Sequence, residues 1–388
     1  MENQDLINYP DLDKPPRPRK ELRQGFSTGT AAAAAAQGAL RELLGLPCPE
    51  AVEVELPGGG SLSIPLYYHR RDNNDGLAAV IKDAGDDPDV TNGAEIGTRV
   101  RLLTGGIDAK EEIRFRAGVG VGRVTKPGLA LAVGEPAVNP VPRKMIRRSL
   151  EKVWQEAFPE KPMRLEVEIF VPRGGEMARH TLNPRLGILG GISILGTTGL
   201  VKPFSHAAYR ATIAAGLKVA LALKIRKIVF STGGKSEKYL QGLLPELPEE
   251  AFVQMGDYVR FALKTAANMK FPGITVGAFF GKALKIAQGW GQTHASRGLA
   301  DLKKLGRLTA ETTGDAELAQ EISRANTARQ ALEILVAVQA EPVVAAVGEG
   351  MLAALRDYAG PGPGLAAVIL DFSGAVIWRG ERTGRSRA

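Results

Sequence analysis

Three groups of residues in this 388-residue chain have types and spacings that suit chemistry. The first is acidic. Asp83-Ala84-Gly85-Asp86-Asp87-Pro88-Asp89 sets four carboxylates within seven residues, and Val90-Thr91-Asn92-Gly93 follows. Such a stretch supports three readings. It is an oxygen-ligand metal site, although its spacing is not that of the helix-loop-helix calcium loop and no distal Glu is placed for it. It is a polar wall that positions a substrate or receives a hydroxyl or ammonium group. Or it is turn chemistry, because Asp, Asn, Gly and Pro all form turns. The second group is the small-residue turns Gly196-Thr197-Thr198-Gly199 and Ser231-Thr232-Gly233-Gly234. A turn that opens a helix presents unpaired N–H groups that suit an anion, or it simply caps the helix. Gly289-Trp290-Gly291-Gln292-Thr293-His294-Ala295-Ser296 is a third turn-rich stretch. The third group is basic: Arg143-Lys144-Met145-Ile146-Arg147-Arg148 carries four cations in six residues, either a solvated helix face or an anchor for a polyanion.

Other reactive types are sparse. His69, His180, His206 and His294 show no metal-ligand spacing among themselves. Cys48, between Pro47 and Pro49, is the only cysteine and reads as incidental. No disulfide within the chain is available, which suits a reducing cytoplasm. Lys plus Arg number 50 against 42 Asp plus Glu, a net charge of +8 that favours an anionic partner. Aromatics make up 6% and do not interleave with basic residues, which disfavours nucleic acid. The first twenty residues lack an apolar signal core, and no apolar run reaches the ~18 residues of a membrane span. A cytoplasmic protein is expected.

The elements that must position these groups differ along the chain. Residues 1–20 read as an irregular arm, given Pro10, Pro15, Pro16 and Pro18. Ser and Thr before six alanines predict a helix over 31–44. Alternation around Pro57-Gly58-Gly59-Gly60 predicts a hairpin within 51–70. Further strands are predicted near 78–82, 100–103, 113–117 and 165–171, with a short helix at 176–181. Alternating glycines at Gly118, Gly120 and Gly122 are not a dinucleotide loop, because Thr125-Lys126-Pro127-Gly128 breaks any helix there. They instead permit close approach of a ligand or another backbone. From 192 onward, apolar runs at 192–195, 225–230 and 274–279 alternate with helical stretches at 207–223 and 282–288. That predicts a parallel sheet with crossover helices. Ligands of such sheets sit beyond the carboxyl ends of the strands, where both Gly-rich turns would then lie. Residues 299–359 read as helical with a cap at Thr309 or Thr312, and 365–378 as a hairpin around Asp371-Phe372-Ser373-Gly374. The expected division is an arm at 1–20, an α+β domain at 21–191 and an α/β domain at 192–388.

Several motifs recur together and in order: Gly25-Phe26-Ser27-Thr28-Gly29-Thr30-Ala31, the acidic loop at 82–93, residues 118–145 and 170–205, Gly256-Asp257-Tyr258, and Thr293-His294-Ala295-Ser296. By these the chain resembles, over roughly residues 20–380, the CbiD family of C1-methyltransferases acting on cobalt-precorrin-5B in anaerobic cobalamin (vitamin B12) biosynthesis. It departs from the family at Ala295, in the plainness of its six-alanine run, and at Ser231-Thr232-Gly233-Gly234, where a Pro-Gly-Asn type of turn is usual. The resemblance implies an N-terminal α+β domain like the second domain of ribosomal protein S5, followed by an α/β domain with a small parallel sheet. It also implies methyl transfer from S-adenosyl-L-methionine to an anionic cobalt-corrinoid, giving cobalt-precorrin-6A. On that footing Asp83, Asp86 and Asp87 are the catalytic candidates. Glu135, Gly196, Thr197, Thr198, Gly199, Thr232 and Gly233 are candidates for the donor. Thr28, Gly29, Thr30, Lys126, Arg143, Lys144, Arg185 and His294 are candidates for the acid-rich substrate. No protein-bound metal is expected; the cobalt belongs to the substrate. Neither nucleic acid nor membrane is an expected partner, and a homo-oligomer is allowed. A corrinoid carrier without chemistry is the competing class. A phosphotransferase lacks its Walker pattern.

Overall fold

The computed structural model describes residues 22–103 and 112–384. The arm expected at 1–20 lies outside them. The chain forms two compact units, the first ending at His206 and the second beginning at Ala207.

Helix α1 (Thr28–Leu44) organises the first unit. Ser27 caps it, accepting from Thr30 N at 3.2 Å, and all six alanines are fully buried. Alanine has nothing beyond Cβ, so the helix axis can lie very close to the sheet beneath it. In chain order the strands longer than two residues are β1 (Ala51–Glu55), β2 (Ser61–Pro65), β3 (Tyr68–Asp72), β4 (Asp75–Ile81), β5 (Glu95–Leu102), β6 (Glu112–Ala117) and β7 (Arg164–Phe170). The first two pair as the expected hairpin around the Pro57 turn. The other five form one sheet in the order β3-β4-β5-β7-β6, antiparallel except for the β7–β6 pair. Helix α2 (Pro140–Ala157) lies between β6 and β7 in the chain, as a parallel pair requires. Leu165, Val167 and Ile169 alternate into the same core as α1 and α2. The opposite face carries ion pairs, among them Arg99–Asp75, Arg101–Asp75 and Arg116–Glu166.

The second unit opens with α3 (His206–Ala222), then β8 (Lys227–Ser231), α4 (Gly234–Leu243), β9 (Phe252–Gln254), α5 (Val259–Asn268), β10 (Gly273–Phe279) and α6 (Phe280–Ala287). Four helices follow: α7 (Leu302–Thr313), α8 (Ala316–Arg324), α9 (Ala328–Ala337) and α10 (Glu341–Ala359). The hairpin β11 (Gly364–Leu370) and β12 (Val376–Arg382) ends it. The sheet order is β9-β8-β10-β11-β12, parallel throughout except for β12. The parallel sheet is therefore as expected, but two of its features are not. Strand β9 was not foreseen, being short. The expected cap at Thr309 or Thr312 is absent: both hydroxyls donate within α7, to Leu305 O at 2.9 Å and Leu308 O at 2.6 Å. Asp301, Asp315 and Thr327 cap the helices instead.

The stretch 192–195 does not enter the parallel sheet, and the division falls at 206/207 rather than 191/192. Gly191–Ile192 pairs with Gly120–Val121, Ile194 bridges to Val138, and Leu200–Val201 pairs with Gly25–Phe26. A short apolar run bounded by glycines pairs with whichever strand edge lies nearby, and here that edge belongs to the first unit.

Candidate functional site

In the first unit the acidic loop, the start of α1 and the Gly196 turn come together. Phe26 N donates to Asp83 O at 2.8 Å, Ser27 N to Gly199 O at 2.8 Å, and Gly29 N to Leu195 O at 3.0 Å. Thr28 Oγ1 donates to Leu195 O at 3.1 Å, and Thr30 Oγ1 to Gly199 O at 2.6 Å. Thr28 and Thr30 are buried, so the substrate role expected of them and of Gly29 gives way to a structural one. The Gly196 turn likewise offers carbonyl oxygens to α1, and it leads into Leu200–Val201, which pairs with Gly25–Phe26, rather than directly into a helix. Gly196 has φ +141°, and any side chain there would run into Ser27. Thr197 and Thr198 are exposed, and Thr198 Oγ1 donates to Leu200 O at 3.2 Å.

The catalytic reading of the acidic loop meets the same objection. Asp83 forms a two-pronged ion pair with Arg23 and accepts from Gly85 N. Arg23, with help from that backbone N–H, holds the Asp83 carboxyl below the usual range. Asp86 accepts from Arg23 N at 2.7 Å, and Asp87 from Phe204 N at 2.9 Å. Asp89 accepts from Thr91 N and from the ammonium of Lys82, a side chain 1% exposed. Burial pulls the Asp89 carboxyl upward, but Lys82 and Thr91 outweigh it and hold it low. Of the three readings of this loop, turn chemistry fits the geometry. Its carboxylates hold the loop and its neighbours in place.

Basic residues gather elsewhere in the same unit. An open groove of about 480 Å³ runs along edge strand β6, lined by Arg114, Phe115, Arg116, Glu135, Pro136 and Arg143. Arg143 is held by Val138 O at 2.8 Å and Glu135 at 3.3 Å, and lies over the Phe115 ring. Glu135, expected on the donor, thus positions an arginine. Lys126 Nζ donates to Arg185 O at 3.3 Å, so these two candidates are neighbours. Lys144 is exposed on α2.

In the second unit the polar groups collect at the carboxyl edge of the parallel strands. After β8 the chain crosses to β9 on one side, then to β10 on the other. The crevice at such a reversal is where open α/β sheets bind ligands. Here it holds Ser231, Thr232 and Gly233, opening the ten-residue α4. Ser231 shares a face with Val229, which packs against Leu240 of α4. Its hydroxyl therefore faces the α4 side of the sheet. It is fully buried and has no hydrogen-bond partner among the described residues. Gly233 gives α4 no side-chain cap, and a Cβ placed there meets nothing within 4 Å. Glu237, buried one turn into α4, accepts from Gln254 Nε2 at 3.3 Å.

Beside it, Asp257 pairs with Lys282 and accepts from buried Thr293 Oγ1 at 2.8 Å. Lys285 donates to Thr293 O at 3.0 Å and Gly298 O at 2.8 Å, and burial lowers its pKa. The Gly256-Asp257-Tyr258 and Thr293-His294-Ala295-Ser296 motifs thus meet. His294 Nδ1 accepts from Ser296 N at 3.1 Å, which holds its ring in the turn. The sequence analysis singled out the turn at Ser231, Thr232 and Gly233 and the stretch holding His294, but not Glu237, Gln254 or Lys282. Glu237 and Gln254 sit on ordinary helix and strand patterns that carry no local signal. Arg114 and Arg116 were missed because alternation marked 113–117 only as a strand.

The family described as CbiD matches residues 16–203, and that described as CbiD, C-terminal domain, matches 292–381. A cobalt-precorrin-5B C(1)-methyltransferase of Nitratidesulfovibrio vulgaris is 44% identical over 373 residues, covering 94% of this chain and 95% of the relative. The protein of the same name from Thermus thermophilus is 43% identical over 358 residues, covering 92% and 94%. The crystal structure of a cobalamin biosynthesis protein (cbiD) from Archaeoglobus fulgidus shares 31% identity over 68% of this chain and 79% of that one, with a TM-score of 0.38.

Proposed function

Since the chain belongs to the CbiD family, we propose that it transfers a methyl group from S-adenosylmethionine to C1 of cobalt-precorrin-5B, giving cobalt-precorrin-6A in cobalamin biosynthesis. The observation that carries this reading is 44% identity to a methyltransferase of that name along nearly the whole chain. In the finer classification, the sheet with α1 and α2 in one core is read as the ribosomal-protein-S5-like domain that the resemblance implies.

The carboxyl edge of the second unit suits the donor. When bound, S-adenosylmethionine supplies an electrophilic methyl on a sulfonium. The residues present match its parts. The first turn of α4, without a side-chain cap, offers N–H groups to its carboxylate, and the buried Ser231 hydroxyl ends the strand that leads into it. The Glu237 carboxylate, steadied by Gln254, suits a ribose diol or an ammonium. The groove on β6 is the basic surface that suits the substrate's carboxylates: Arg114, Arg116 and Arg143 stand there beside Phe115 and Pro136, each now paired with a carboxylate (Glu112, Glu166 and Glu135) that the substrate's acids would have to share or displace. Methyl transfer to an electron-rich ring carbon asks chiefly for alignment, which supplies ~7–11 kcal/mol of the barrier. The protein's task is therefore to hold, orient and exclude water. The committed carboxylates of the acidic loop agree with a reaction that needs no strong base there.

The test is incubation of the purified protein with cobalt-precorrin-5B and methyl-labelled S-adenosylmethionine. Label is expected at C1. A protein that binds the corrinoid, transfers no label and ignores S-adenosylmethionine is a carrier, and the proposal fails.

A further inference from the structure

Away from both groups of residues, the last turn of α1, the loop after it and strand β3 bring together Glu42, Cys48 and His69. Each offers a ligand atom, and the three atoms all lie within 4.8 Å of one another. We propose that these residues form a binding site for a divalent transition-metal ion of the zinc and cobalt class.

The framework is fixed before any ion arrives. Glu42 projects from a helix whose Ala-rich body is buried in the core, and His69 from a strand paired with Ala78 of β4. Cys48 sits between Pro47 and Pro49, and Arg41 Nη1 holds Pro47 O at 3.1 Å. His69 Nδ1 lies 2.7 Å from Glu42 Oε1, which sets the ring against the carboxylate. The thiol is the uncommitted member: its nearest partners, Gly38 O and Pro49 O, are both 3.9 Å from sulfur.

The donor set selects the ion. A thiolate, an imidazole and a carboxylate suit borderline ions such as Zn²⁺ and Co²⁺, and suit Mg²⁺ or Ca²⁺ poorly. Metal–ligand bonds of about 2.0–2.3 Å put tetrahedral ligands roughly 3.3–3.8 Å apart, so an ion would draw the thiol in and open the 2.7 Å hydrogen bond between His69 and Glu42, replacing it with bonds to the metal. The side chains of His69 and Glu42 are 34% and 23% exposed, enough for an ion to enter and for water to take a fourth position. Without an ion, burial and then the neighbouring Glu42 carboxylate keep the thiol protonated. The charge of a coordinated ion would outweigh both effects: the S–H proton leaves to solvent and a metal–sulfur bond forms, with no change of oxidation state.

Cys48 is the only cysteine in the chain, so any thiolate-to-cobalt charge-transfer band must arise from it. The untagged full-length protein is titrated with CoCl₂ under reducing, anaerobic conditions. The expected result is one equivalent of bound cobalt, a near-ultraviolet charge-transfer band, intense four-coordinate visible bands, and loss of all of them on adding ZnCl₂. Cys48→Ser should abolish the charge-transfer band, and His69→Ala should weaken cobalt binding at least tenfold. Circular dichroism checks both folds. Independently, ZnCl₂ should slow alkylation of Cys48 by iodoacetamide at least tenfold in wild type, with the protection lost in His69→Ala. Absence of the band at saturating cobalt, or cobalt binding unchanged in Cys48→Ser, overturns the proposal. So does alkylation indifferent to zinc.

Discussion

At the turn Gly196-Thr197-Thr198-Gly199, the carbonyls on either side are taken by N–H and hydroxyl groups of the α1 start. At the turn Ser231-Thr232-Gly233-Gly234, a buried hydroxyl and an uncapped helix start have no such partner among the described residues. The two turns share Thr at the second position and Gly at the fourth. The first is closed because the start of α1 takes its carbonyls and the next two residues pair with Gly25–Phe26. The second stands where the strand order reverses, and a reversal leaves a crevice that no neighbouring strand fills. A polar group spent on the fold adds to stability, whereas one left over at a crevice is available to a ligand.

Four measurements bear on that contrast. The largest effect is expected for Asp89→Asn, which leaves the Lys82 ammonium buried and without its anion. A loss of about 3 kcal/mol in denaturant unfolding is expected, at the low end for a broken buried pair because Asp89 keeps some solvent contact. The effect should depend on pH. The Asp89 carboxyl is held low in the fold, so its contribution is complete above the unfolded value of about 3.9 and is lost as pH falls through the folded value. Wild type and variant should therefore differ most near neutrality and converge in acid. A pH-independent gap would argue against the ion pair.

Gly233→Leu probes the open turn. The position has room for a side chain, so the melting temperature should hold while the Kd for S-adenosylhomocysteine rises about 100-fold, or ~2.7 kcal/mol. Unchanged binding by calorimetry would remove the donor from this crevice. The matching change at the closed turn, Gly196→Leu, should do the reverse. It forces a side chain against Ser27 at positive φ, costing about 2 kcal/mol of stability, with ligand affinity intact in the folded fraction. The smallest effect is expected for Asp86→Asn, which weakens one exposed bond to Arg23 N. About 0.5–1 kcal/mol of stability should go while kcat stays within twofold. A large fall in kcat would return the acidic loop to the chemistry.

Much of this molecule is written locally. Ser27 and six alanines specify α1, the Pro57 turn specifies its hairpin, and alternating strands and helices after 225 specify a parallel sheet. Ordered motifs were enough to identify the family and the class of reaction. Those properties depend on caps, periodicity and residue order, all of which operate within a few residues. Tertiary structure decided which polar groups remain free. Asp83 met Arg23 sixty residues away, and Asp87 met Phe204 N over more than a hundred. The run at 192–195 joined the first unit, and Glu42, Cys48 and His69 came within reach of one ion. Partners of that kind are chosen by packing across long sequence separations, and a residue's type states what it could bind but not what has already bound it.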